Sequence, residues 1–154
     1  MEFELPIDFK ELLQLFNHHG VKYLLIGGYA VGLHGHVRAT NDIDIVVAPD
    51  DENAEKVVAA LVDFGLADPS LEKNLFTTPR SLVVMGVEPF AVDLMNYLEG
   101  VEFYSAYARR EVRKTEDIEI NLVSLDDLLV NKTAVARDKD KLDVKELIRK
   151  NKML

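Results

Sequence analysis

The chain has no cysteine, so it forms no disulfide and offers no thiol chemistry, an absence that leaves its redox compartment open. Cations are also scarce. Eighteen Lys and Arg against 27 Asp and Glu give a net charge of −9. That balance argues against non-specific binding to nucleic acid, which needs a field that attracts phosphates. It still allows a nucleotide held through divalent metals, because such ions reverse the local sign of an acidic pocket. Long apolar runs are missing as well. The uncharged stretch 23–35 contains four glycines and is too short to span a bilayer. The opening Met-Glu-Phe-Glu-Leu-Pro is acidic where a secretory leader would be basic. The expectation is a cytoplasmic protein with no membrane partner. No repeat, low-complexity tract or interdomain linker breaks residues 1–154, and 48% apolar with 29% charged residues fits one folded domain.

What is present centres on residues 23–47, YLLIGGYAVGLHGHVRATNDIDIVV. Residues 23–26 are uncharged and apolar, as a buried strand requires. Gly27 and Gly28 follow, where the backbone can turn tightly and approach a ligand. A helix starting at Tyr29 would turn free N–H groups and a positive dipole end toward that ligand, which favours phosphate. In the second apolar run Asp42 and Asp44 alternate with Ile43 and Ile45, so strand periodicity places both carboxylates on one face. Paired carboxylates repel unless cations sit between them, the arrangement of a two-metal site with ions about 4 Å apart. A third acid is needed from elsewhere. Asp93, the only acid in the apolar run 90–95, is the candidate.

This ordered set, Gly-Gly, Asp-Ile-Asp and a later lone Asp in an apolar strand, resembles the nucleotidyltransferase superfamily, the fold shared with DNA polymerase beta. The segment Arg38-Ala-Thr-Asn-Asp-Ile-Asp44 is closest to the small bacterial and archaeal members, which include antibiotic nucleotidyltransferases and the minimal nucleotidyltransferases of toxin–antitoxin pairs. The gap from Gly28 to Asp42 is at the long end of that pattern. The resemblance implies an α/β (α+β) domain: a mixed, mostly antiparallel sheet of four to six strands with helices packed mainly on one side. It assigns Asp42, Asp44 and Asp93 as the catalytic acids and ligands of two Mg²⁺, with Mn²⁺ an alternative. Gly27, Gly28 and Lys132 fall to the triphosphate of an NTP, ATP being the leading donor, and Arg38 and Lys139 to its neighbourhood. The implied reaction moves an NMP to an acceptor hydroxyl on RNA, protein or a small molecule and releases pyrophosphate. The alternative is a toxin–antitoxin component or other protein-binding module with this fold and little or no turnover, docked to a helical partner or to a second copy.

The remaining segments read by pattern. A helix is expected over 9–16 with Asp8 as its N-cap and Gly20 as its stop. His18 and His19 in its last turn read as surface or capping residues, and His34-Gly-His36 as a polar loop beside the site. Pro49 and three acids open a helix that Gly65 ends. Residues 68–79 form a connector with one short turn or strand, and 81–85 and 90–95 form a hairpin around a turn at 86–89. After these a core of about 1–100 gives way to a C-terminal hairpin and two helices over 101–154. A helix over 101–110 leads to strands at 111–115 and 118–123 around Glu116-Asp117; the second has one wet face and is expected at the periphery. Ser124 to Asp127 is a capping-box-like start. Asp140 and Asp143 are expected to cap the last helix.

Overall fold

The computed structural model describes residues 4–152 apart from 67, 87–89 and 116. The chain runs α1 (Ile7–His18), β1 (Tyr23–Ile26), α2 (Gly27–Leu33), β2 (Ile43–Val47), α3 (Asp51–Phe64), α4 (Asn74–Thr77), β3 (Leu82–Met85), β4 (Val92–Met95), α5 (Phe103–Ala108), β5 (Glu111–Thr115), β6 (Ile118–Leu122), α6 (Leu125–Val135) and α7 (Asp138–Lys150). The strands form one six-stranded sheet in the order β3-β4-β2-β1-β6-β5. Pairs β1–β2, β3–β4 and β5–β6 are antiparallel; β1–β6 and β2–β4 are parallel. The sheet is therefore mixed and mostly antiparallel, as expected. Among the described residues no helix is long and apolar enough to cross a membrane.

Register divides the sheet into two chemically different faces. Leu25 pairs with Ile45 and Leu122, and Ile45 with Leu94, so these residues share one face, and all are fully buried. Helix α1 supplies Phe9, Leu12, Leu13 and Phe16 at helical spacing to the core, Phe16 meeting Tyr23 at 5.7 Å between ring centres. On the opposite face Leu24 and Val46 are equally buried, but Asp44 and Asp93 stand on that same face beyond them. The acidic face is thus covered at its centre and opens toward the end of β2 that begins with Ile43.

Several boundaries depart from the sequence reading. Helix α1 starts at Ile7 with Pro6 at its N-cap and no side-chain cap, so Asp8 lies in its first turn. Burial of one apolar stripe fixes this helix without a capping side chain. Helix α2 begins at Gly27, not Tyr29, and ends at Leu33, not His36, so the glycine pair is its first turn. Strand β6 lies between β1 and β5, inside the sheet. Its wet face reports what covers it, not where it stands in the strand order. Asp143 lies within α7 and caps nothing, while Asp140 does accept from the Arg137 backbone N–H at the helix start. Helix α3 follows expectation: Asp50 accepts from Asn53 N–H, and Gly65 ends the helix at φ 110°. The connector 68–79 carries the single turn α4. In the expected turns at 86–89 and 116–117, residues 87–89 and Glu116 lie outside the described residues.

Candidate active site

Parallel pairing of β2 with β4 sets Asp44 directly beside Asp93. Their carboxyl groups therefore lie close enough for each to act on the other's ionisation, two acids crowded side by side. Burial pushes Asp44 up to about 7, reinforced by the hydrogen bond to Asp93 and by its charge; Lys132 and Lys139 pull in the opposite direction. Asp42, just before β2, is held apart, its Oδ1 accepting from Ala91 N–H at 3.0 Å. Among the described residues no three acidic or histidine side chains are gathered into a ready cage. The structure thus brings Asp44 and Asp93 together, with Asp42 lining the same cleft and bonded to Ala91 N–H.

The glycines explain how the acid comes so close to α2. Gly27 has φ +71°, and a Cβ there would lie 2.1 Å from Asp44 Oδ2. A Cβ on Gly28 would lie 2.4 Å from Thr40 Oγ1. Only glycine fits at either position, and what approaches the backbone in this structure is the protein's own acid and its own 38–41 segment.

All eight residues singled out in the sequence, Gly27, Gly28, Arg38, Asp42, Asp44, Asp93, Lys132 and Lys139, line one cleft of about 840 Å³. Lys132 is drawn into the protein by two acids of α7. It is 5% exposed, its Nζ bonded to Asp140 Oδ1 at 3.0 Å and Asp143 Oδ2 at 3.1 Å. Arg38 grips Asp143 with two bonds, Nε to Oδ1 at 2.8 Å and Nη2 to Oδ2 at 2.9 Å. Lys139 is exposed at the cleft. Sequence reasoning passed over Arg137, which lines the same cleft and reaches Asp140 Oδ2 with Nε at 2.7 Å. Its signal was its place five residues after Lys132 at the break between two helices, where Ala136 takes φ 60°. Thr40, Asn131, Tyr97 and Glu99 also line it and carry no motif of their own. His34 and His36 stay out of it: His34 is buried with Nε2 on the carbonyl of Val123 at 2.7 Å.

The cleft thus combines an acid pair on adjacent central strands, a glycine-started helix beside it and cations in its lining. The model of the family described as "Nucleotidyltransferase of unknown function (DUF6036)" matches residues 4–152, and the chain belongs to that family. Among solved structures, the lincosamide antibiotic adenylyltransferase LnuA, in its lincomycin-bound crystal structure, is similar with a TM-score of 0.61 at 20% identity, over 95% of this chain and 98% of that one. At that identity the likeness is one of fold. No curated protein matches the sequence.

Proposed function

We propose that the cleft binds an NTP, ATP being the leading donor, and moves its NMP to a hydroxyl of a small-molecule acceptor with release of pyrophosphate. The observation that carries this reading is the Asp44–Asp93 pair, two half-buried carboxyls set side by side in a cleft that Arg38, Lys132, Arg137 and Lys139 also line. Crowded acids cost stability, so their place here points to a charge brought from outside. The donor set of Asp42, Asp44 and Asp93 is all carboxylate oxygen, which suits Mg²⁺ or Mn²⁺. Two such ions, when bound, would offset charge on the phosphates and ease ionisation of the attacking hydroxyl.

The chain's own groups do the rest. Lys132 spends two of its three donors on Asp140 and Asp143 and keeps one for a phosphate oxygen. Arg38 and Lys139 supply further positive charge along the same wall, and Gly27 and Gly28 let the first turn of α2 lie against the phosphates. As the acceptor oxygen bonds to the α-phosphorus, Asp93 takes its proton. The bond from that phosphorus to the bridging oxygen breaks, and pyrophosphate leaves with the electron pair. A small-molecule acceptor is favoured by the likeness to LnuA, whose name gives it a lincosamide antibiotic as substrate and whose chain length this protein matches.

Thermal unfolding with each NTP, with and without Mg²⁺, tests the donor site. A ligand at about a hundred times its dissociation constant adds roughly 2.7 kcal/mol, a rise of about 5–10 °C for a domain this size. The expected result is a rise that needs both NTP and Mg²⁺ and is lost in an Asp42→Asn, Asp44→Asn double variant. No rise with any nucleotide would sink the proposal.

A further inference from the structure

The wall opposite the acid pair is built on two buried acids that no part of the reaction above uses directly. Asp140 and Asp143 are 0% and 1% exposed, and they lie three residues apart on α7, so both project from one face of that helix. Three cations from three separate segments converge on them. Arg38 comes from the stretch before β2, Lys132 from α6, and Arg137 from the junction of α6 and α7. Three positive charges on two negative ones leave a surplus of one, and all three cations line the cleft.

As a device for stability this arrangement is a poor choice. Two charges taken out of water lose more hydration than they regain unless every bond is made, and apolar residues of similar volume serve a fold as well or better. Its benefit lies in what it fixes. An arginine or lysine free in a cleft must lose side-chain freedom when a phosphate arrives, whereas one already gripped from behind has lost it on folding. Asp143 holds both nitrogens of one edge of the Arg38 guanidinium and leaves Nη1 outside that grip, on the carbonyl of Ala39 at 3.2 Å.

We infer that Asp140 and Asp143 are positioning residues for the nucleotide donor, holding Arg38, Lys132 and Arg137 in the arrangement that receives the triphosphate. The inference rests on the proposed donor site, and it adds Arg137 to the phosphate-facing groups. Because the acids act through the cations, their loss penalises the charged part of the nucleotide and spares the nucleoside.

The experiment is calorimetric titration of wild type, Asp143→Asn, Asp143→Glu, Arg38→Ala and the Arg38→Ala, Asp143→Asn double variant with ATP and with adenosine, in Mg²⁺. The expected result is an ATP affinity about 10-fold weaker in Asp143→Asn, with adenosine affinity unchanged. Asp143→Glu recovers part of the loss, and Asp143→Asn costs less in the Arg38→Ala background than in wild type. Equal weakening of ATP and adenosine, or a fall in melting temperature with ATP affinity untouched, would assign the two acids to structure alone and overturn the inference. Wild type that binds no ATP would overturn the donor site and this inference together, so the two failures are separable.

Discussion

Two pairs of carboxylates line or back the same cleft, Asp44 with Asp93 on the sheet and Asp140 with Asp143 on α7. Both pairs are withdrawn from solvent, yet the proton affinity of Asp44 moves one way and those of Asp140 and Asp143 the other. Asp44 is pushed up to about 7 by burial and by Asp93. Burial works the same way on Asp140, but hydrogen bonds from Arg137 and Lys132 outweigh it and bring that acid down to about 2. Asp143 is likewise held low, by Arg38 and Lys132, against its burial. Burial is common to both pairs, so the cations make the difference. The pair that comes with its cations organises the wall. Asp44 feels Lys132 and Lys139 only at a distance, so its pair is where added positive charge gains most.

The sharpest way to break this contrast is Asp44→Asn. Transfer of labelled nucleotide falls below detection, while chemical denaturation at pH 7 finds stability kept or raised, because the variant removes a crowded charge. The pH dependence separates the pairs further. Asp44 has a folded value above the 3.8 of a free carboxyl, so its contribution is fully present below about pH 4 and is lost as pH rises through about 7. Asp140 has a folded value below 3.8, so its contribution is present above that and is lost as pH falls through about 2. In chelator, wild-type stability therefore acquires a decline between pH 4 and 7 that Asp44→Asn abolishes, and an acid limb between pH 4 and 2 that it leaves in place.

Lys132→Met strikes the other pair. It removes the cation between two buried aspartates and costs about 3–5 kcal/mol in urea unfolding at pH 7. Gly27→Ala has a smaller effect on stability, about 1–3 kcal/mol, because it strains a backbone at φ +71° and displaces the Asp44 carboxylate; it lowers transfer more than its stability loss accounts for. Arg137→Ala is the mildest. Its side chain is 58% exposed, so melting shifts by the equivalent of about 1 kcal/mol or less, while ATP affinity still falls. A large stability loss from Arg137→Ala with unchanged ATP affinity would contradict the division of labour drawn here.

Much of the sheet and of the acid cluster was legible in the sequence because both depend on local pattern. Asp-Ile-Asp in an apolar run fixes which face the acids share, and Asp50 through its capping side chain and Gly65 through its left-handed backbone mark the ends of α3. What stayed hidden depends on distant partners. Gly27 as a helix residue runs against helix propensity and is explained only by the closeness of Asp44. The interior position of β6 leaves no trace in a period-two pattern, which reports faces and not neighbours. Asp140 and Asp143 read as caps because acids near a helix start usually are. Arg137 is local, the N-cap of the same helix, but Lys132 stands on α6 and Arg38 is 105 residues from Asp143.

That separation has a consequence during synthesis. The strands bearing Asp44 and Asp93 leave the ribosome well before α7, and at about 5–20 residues per second the 105 residues between Arg38 and Asp143 take roughly 5–20 s to make. Once Asp93 has been made, the nascent chain holds its crowded acids without the helix that anchors the cations until Asp143 follows 50 residues later. Closing so long a loop is the last and entropically most expensive contact of the cleft. On the proposed donor site, nucleotide affinity is therefore a property that the growing chain acquires only once α7 has docked.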